Sequence, residues 1–179
     1  MGNVESLVSL LKERNQIDRR ITQIIQRPAE KGHIAEWIAS KIFPIELNNE
    51  SNKEGYDGVF TDGELKGKKV DVKFYAANEH IIDLNPNIKE EIYLLVFTGP
   101  YRAAGSSKNK ERPFCIKNVY LFNELELCNS LKENGIKLSV ATSVRKEYWE
   151  KSQVYPKDNL GFNLGMKSNL IKLFSRLAD

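Results

Sequence analysis

The sequence predicts an α/β or α+β fold, with a mixed central sheet flanked by helices and preceded by an amphipathic N-terminal helix. Apolar residues recur with helical spacing near both ends of the chain, and two segments before residue 80 have the pattern of a β-hairpin. Residues 92–98 are a continuous apolar run, as in a strand covered on both faces. These patterns interleave along 179 residues, which indicates one domain built on one sheet.

Residues 3–27 are predicted to form a single amphipathic helix, interrupted on its apolar face by Arg14. Its apolar positions, spaced by three, four and seven, are Leu7, Leu10, Leu11, Ile17, Ile21, Ile24 and Ile25. The helix either docks on the core or forms an arm through which two chains dimerise. We therefore divide the chain into residues 1–28, the helix, and residues 29–179, the main domain.

A second helix is predicted over residues 29–43, and Pro44 stops it. Its buried stripe consists of Ile34, Trp37, Ile38 and Ile42. The polar residues 45–54 predict a loop.

Next comes the predicted hairpin, with strands over residues 55–61 and 69–76 and a turn at Asp62-Gly63. The central strand over residues 92–98 follows it. The predictions for the rest of the chain are a basic loop over 101–112, a strand over 114–120, a helix over 122–131 ended by Gly135, a strand over 136–140, a helix over 147–152 and a C-terminal helix over 170–177.

The composition indicates which class of partner and which cellular compartment to expect. A net charge of +3 and a pI of about 8.7 favour an anionic partner only weakly. Cys115 and Cys128 lack the spacing of a zinc site, which together with the lack of a secretory signal predicts a reducing, cytoplasmic location. No segment approaches 18 apolar residues, so no membrane association is expected.

The return strand of the hairpin carries a charged face. Side chains alternate along a strand, so Val70 and Val72 share the buried face while Asp71 and Lys73 share the other. A solvent-exposed edge strand explains such a face equally well when it is considered alone.

Two further acidic residues favour a metal site over a merely solvent-exposed strand. Folding the hairpin brings Asp57 close to Asp71, and two close carboxylates are stabilised by a divalent cation with oxygen ligands. Glu36 borders the buried stripe of the second helix, beside small residues that allow close approach to the sheet. The alternatives are a turn residue for Asp57 and a solvated glutamate for Glu36.

Three motifs, taken in this order, resemble the PD-(D/E)xK superfamily of restriction-endonuclease-like nucleases. They are a Glu on a helix, a Gly-x-Asp at a strand and an Asp-x-Lys on the next strand. The resemblance covers residues 29–98, and the residue before Asp57 is Tyr56 rather than Pro. It implies a restriction-endonuclease-like sheet. The implied catalytic residues are Glu36, Asp57, Asp71 and Lys73.

The resemblance also implies a chemistry. Asp57, Asp71 and the backbone carbonyl of Val72 would hold Mg²⁺, for which Mn²⁺ can substitute. Glu36 would support the metal through water or bind a second ion. Lys73 would contact the attacking water and a phosphate oxygen; its alternative role is a surface ion pair with Asp71. The implied reaction is hydrolysis of a phosphodiester.

Basic residues after the central strand suggest a nucleic-acid surface. They lie in the 101–112 loop and after residue 143, and they are Arg102, Lys108, Lys110, Arg112, Arg145 and Lys146. A solvated loop and a helix cap explain them without nucleic acid.

Three functions therefore compete. The first is a DNA endonuclease of restriction or defence type, acting on double-stranded DNA, for which a homodimer through the N-terminal helix would supply two sites. The second is an inactive nuclease fold that binds nucleic acid or another subunit. The third is an interaction protein in which the N-terminal helix is the functional part.

Overall fold

Five helices and eight strands form in the residues that the computed structural model describes, which are 2–48, 55–103, 105 and 111–177. In chain order they are α1 (Asn3–Ile25), α2 (Lys31–Ile42), β1 (Ile45–Leu47), β2 (Gly58–Phe60), β3 (Lys69–Tyr75), β4 (Ile81–Ile82), β5 (Ile92–Thr98), β6 (Asn118–Asn123), α3 (Glu124–Glu133), β7 (Thr142–Ser143), α4 (Lys146–Lys151), β8 (Gln153–Tyr155) and α5 (Ser168–Ser175).

Six of these strands form one mixed sheet in the order β1-β2-β3-β5-β6-β8. β3 and β5 pair in parallel, whereas the other neighbours in this sheet pair antiparallel. β4 and β7 form a separate antiparallel pair. The fold is α+β, as the interleaved periodicities predict.

The central strand β5 divides the core into two parts. Leu95 and Phe97 lie in a cluster with the buried faces of α2 and α5, whereas Leu94 and Val96 lie in a second cluster with α3 and Trp149. All four β5 side chains are fully buried. The apolar run at 92–98 is therefore a strand covered on both faces, with the predicted bounds.

The N-terminal helix was predicted with nearly the right length. Within α1 the only buried residue is Ile25, at its C-terminal end, and Ile21 is half-buried. The remaining apolar side chains of α1 are exposed. The helix therefore contacts the domain at one end and extends from it.

Several short elements differ from the predictions. The strand predicted over 136–140 does not form: Leu138 is buried, but Val140 is 79% exposed, and the nearby strand is β7. Phe122 lies within strand β6, which ends at Asn123, and does not begin a helix, because the Asn123 side chain accepts a hydrogen bond from the Glu126 N–H and caps α3 there.

Four strands were not predicted, namely β1, β4, β7 and β8. Each has two or three residues, too few to show a period, and each is stabilised by a partner strand distant in the sequence. Of the loop predicted over 45–54, residues 45–47 form β1, and residues 49–54 lie outside the described ranges.

Across the part of the chain that the structure describes, no helix combines the length and apolarity needed to cross a lipid bilayer.

Gly58 allows β1 and β2 to approach each other. A Cβ added at this position would lie 2.4 Å from the backbone oxygen of Glu46. We expect Gly58→Ala to lower the free energy of unfolding by about 1–3 kcal/mol, since backbone must move to relieve the contact. Urea denaturation measures this. Gly32→Ala, on the exposed start of α2 where the nearest atom is 4.0 Å away, is the control and is expected to be neutral or stabilising. Equal stability of the Gly58→Ala variant and the wild type would contradict the expectation.

Candidate active site

The charged face of β3 is partly enclosed. Val70 and Val72 are buried beneath α2, and strand alternation turns Asp71 and Lys73 to the opposite side, as predicted. The Lys73 Nζ lies 2.8 Å from the Asp71 Oδ2, and the two side chains are only 29% and 17% exposed. This pair is therefore more shielded than an ordinary surface ion pair.

Asp57 is fixed against β3 by its backbone and its side chain. Its N–H donates to the Val70 carbonyl at 2.8 Å, and its Oδ2 accepts from the Val72 N–H at 2.7 Å. Its own carbonyl accepts from the Asn48 N–H at 2.8 Å. Asp57 thus extends the β2–β3 pairing, and the hairpin holds its carboxylate beside β3.

The two carboxylates interact strongly. Burial first, then the negative charge of Asp71 and, more weakly, that of Glu36 raise the pKa of Asp57 from 3.8 to about 7, and this value includes the opposing effect of the Val72 N–H. Close, partly desolvated carboxylates favour either a shared proton or a cation. The predicted proximity of Asp57 and Asp71 is therefore present in the fold.

Glu36 is buried, with 8% of its surface exposed. Ala35 and Ala39 on the same helix are fully buried, so the small residues do allow α2 to pack closely on the sheet. The solvated alternative for Glu36 is thus wrong. Its charge is nevertheless compensated within the chain, because the Arg27 guanidinium donates a hydrogen bond to its Oε2.

Arg27 was not identified from the sequence as a site residue. It follows α1 directly, after Gln26 closes that helix in the left-handed conformation. Its pairing with Glu36 joins the end of the N-terminal helix to the carboxylate cluster. A residue outside the resemblance, which begins at residue 29, therefore contributes to the site.

Three further side chains lie near Lys73, namely those of Tyr75, Asp83 and Glu124. None of them was predicted as a site residue. The Tyr75 Oη accepts from the Asp83 N–H at 3.0 Å, and the Glu124 Oε1 accepts from the Asn85 N–H at 2.8 Å. Burial raises the pKa of Glu124, and the charge of Asp71 adds to that effect. Tyr75 follows Lys73 by two residues on β3 and shares its face by strand alternation, whereas Asp83, after β4, and Glu124, in α3, come near Lys73 only in the folded chain.

Lys73 remains a cation in this environment. Burial lowers the pKa of its ammonium group, but the charges of Asp71 and Asp83 outweigh that effect and raise the pKa above 10.5. Lys73 is therefore suited to electrostatic contact with an anion and unsuited to accept a proton at neutral pH.

A cleft of about 560 Å³ lies over the charged face of β3. It is lined by Asp71 and Lys73 from the strand and by Asp83, Asn85 and Glu124 from the segments that follow. Asp71 and Lys73 are thus accessible to a ligand, whereas Asp57 and Glu36 are not among the residues that line this cleft.

The candidate nucleic-acid residues are only partly described, because Lys108 and Lys110 lie outside the described ranges. The other four each contact an oxygen of the chain. Arg102 donates to the Glu111 carbonyl, and the ion pairs are Arg112–Glu79, Arg145–Glu147 and Lys146–Glu150. Exposed ion pairs are weak, so these cations can exchange partners with phosphate. Their role stays a prediction.

The donor set fits magnesium in its chemistry. Magnesium takes oxygen ligands and commonly uses one or two carboxylates together with waters and substrate phosphate. Asp57 and Asp71 supply two oxygen donors whose mutual repulsion a cation would relieve. Within the described ranges, no three His, Cys, Asp or Glu side chains gather into a group suited to a metal ion. The fit therefore depends on the two aspartates, and the Val72 carbonyl stays a prediction.

No protein-family model matches this chain, and no curated protein matches its sequence.

Proposed function

We propose that this protein is a metal-dependent nuclease with a restriction-endonuclease-like fold, most simply a cytoplasmic DNA endonuclease of restriction or defence type. The observation that carries the proposal is the Asp57–Asp71 pair, held at β3 where burial and then the charge of Asp71 raise the pKa of Asp57 to about 7, with the Lys73 ammonium 2.8 Å from Asp71. The edge-strand explanation for this charged face is wrong, because β3 lies inside the sheet between β2 and β5.

Asp57 and Asp71 would hold Mg²⁺ or Mn²⁺, with the Val72 carbonyl as a further ligand. When bound, the metal lowers the pKa of a coordinated water and neutralises charge developing on the phosphate. Lys73 stays protonated and binds a non-bridging phosphate oxygen or orients the attacking water. The water oxygen would bond to phosphorus and lose a proton to solvent, the phosphorus–oxygen ester bond would break, and the leaving oxygen would take a proton from solvent.

Glu36 has a supporting part in this scheme. Its carboxylate is paired with Arg27, so it acts on Asp57 through its charge and through water rather than as a free second-metal ligand. The Arg27 guanidinium already neutralises the Glu36 carboxylate, so a second metal ion is not needed to balance that charge. The proposal is thus a site centred on one metal ion.

One observation favours a second candidate. Glu36 is already neutralised by Arg27, and a site that relies on Asp57 and Asp71 alone is also what an inactive nuclease fold would retain. Such a protein would bind nucleic acid or a catalytic subunit without cutting. Metal binding and turnover therefore need separate measurements.

The test is cleavage of supercoiled plasmid and of single-stranded RNA by the purified chain, with Mg²⁺, Mn²⁺ or EDTA. Calorimetry with Mn²⁺ alone measures the metal site independently. We expect metal-dependent nicking of double-stranded DNA and near one ion bound per chain. Metal binding without cleavage of either nucleic acid would favour the inactive fold, and the absence of both would contradict the proposal.

A further inference from the structure

The N-terminal helix presents an uncovered apolar seam. Leu7, Leu10, Ile17 and Ile24 are 56%, 61%, 54% and 65% exposed. With Arg14 and Ile21 they follow the alternating three-and-four spacing of a coiled-coil seam. α1 has 23 residues and is therefore about 34 Å long.

The domain leaves most of this seam uncovered. Of the six seam residues only Ile21 is half-buried, and at the attached end Ile25 is buried whereas its neighbour Ile24 is exposed. The seam therefore faces mostly away from the domain. Large exposed apolar surfaces of this kind mark sites of association.

We propose that the seam pairs with α1 of a second copy of this chain, in antiparallel orientation. In this register Leu7 packs against the partner's Ile24, and Leu10 packs against the partner's Ile21. Arg14 packs its aliphatic stem against the partner's Ile17. This inference does not depend on the nuclease proposal.

Charge selects the orientation. A parallel pair would place Arg14 against the same residue of the partner and Glu13 beside the partner's Asp18, which are like-charge contacts. The antiparallel pair places Glu13 beside the partner's Arg20, twice in each dimer. Arg14 keeps its charge balanced by Asp18 on its own helix, with the atoms 3.6 Å apart.

Sedimentation equilibrium of the metal-free full chain at low salt tests the pairing. We expect a wild-type dimer and a monomer for Leu10→Asp combined with Ile17→Asp. Glu13→Arg alone and Arg20→Glu alone are each expected to weaken dimerisation by about tenfold, because two attractive contacts become repulsive. Mixing these two variants restores both attractions and yields a heterodimer as tight as the wild-type dimer.

Matched controls carry the same charge changes on the outer face of the helix. They are Glu5→Arg and Arg19→Glu, which leave the dimer unchanged, and circular dichroism verifies that every variant keeps its helix. Tightening of the dimer by Glu13→Arg would indicate the parallel arrangement and overturn the proposal. A monomeric wild type at about 100 μM, or a dimer that survives Leu10→Asp with Ile17→Asp, would overturn it as well. Cleavage activity has no part in the readout, so a failure here is distinguishable from a failure of the proposed function.

Discussion

Replacing Asp71 by Asn is expected to reduce metal-dependent cleavage by about a thousand-fold, equivalent to about 4 kcal/mol in the activation barrier. Asp71 interacts with two other residues of the site. Its negative charge helps to raise the pKa of Asp57, and its carboxylate lies 2.8 Å from the Lys73 ammonium. The variant loses a negative metal ligand and the partner that orients Lys73. Initial rates of plasmid nicking at saturating Mn²⁺ measure the effect.

The control is Asp62→Asn, on the exposed turn after β2, which makes the same chemical change away from the site. It is expected to cut at the wild-type rate. Glu36→Gln should lose less activity than Asp71→Asn, because Glu36 is already paired with Arg27. A cleavage rate for Asp71→Asn within threefold of wild type, with circular dichroism unchanged, would remove Asp71 from the reaction.

Replacing Asp57 by Asn is expected to stabilise the metal-free protein above neutral pH while removing metal binding. The pKa of Asp57 is about 7 in the folded protein and near 3.8 when exposed. Between these values the folded state binds more protons than the unfolded state, so the free energy of unfolding falls as pH rises through this window. At pH 8 the ionised Asp57 therefore costs about 4 kcal/mol, and below about pH 4 the cost disappears.

The Asp57→Asn variant keeps a side-chain oxygen that can accept from the Val72 N–H, and it carries no charge to repel Asp71. Urea denaturation in EDTA at pH 5 and pH 8 measures the difference from wild type, with Asp62→Asn again as the control. We expect the stabilisation at pH 8 to exceed that at pH 5 by at least about 1 kcal/mol. Calorimetry with Mn²⁺ checks the loss of metal binding. A pH-independent difference would show that burial and the charge of Asp71 do not raise this pKa.

These two expectations differ in how far the sequence alone supports them. Asp71 and Lys73 share a face because side chains alternate along any strand, so a seven-residue strand was enough to predict their proximity. Asp57 required the hairpin as well, and its raised pKa required the burial that only the packed sheet provides. Local periodicity indicates which face a residue lies on, but it carries no measure of desolvation.

Glu36 and its surroundings show the same limit. The sequence predicted its position at the border of the buried stripe of α2, beside Ala35 and Ala39. Its pairing with Arg27 was not, because that contact depends on the angle at which α1 meets α2. Nothing before folding relates Asp83 or Glu124 to Lys73 either, since tertiary packing brings β4 and α3 to the same end of β3.

The sequence by itself determined one mixed-sheet domain of α/β or α+β class, the long N-terminal helix, the hairpin and the doubly covered strand β5, because each of these elements spans enough residues to display its period. Tertiary structure alone decided strands β1, β4, β7 and β8 and the exposure of Val140, where the predicted strand is absent. It also decided how the charges of Arg27, Glu36, Asp57 and Glu124 are balanced. The physical reason is that hydrogen bonding between short strands and electrostatic coupling between buried groups depend on distances that folding sets between residues far apart in the chain.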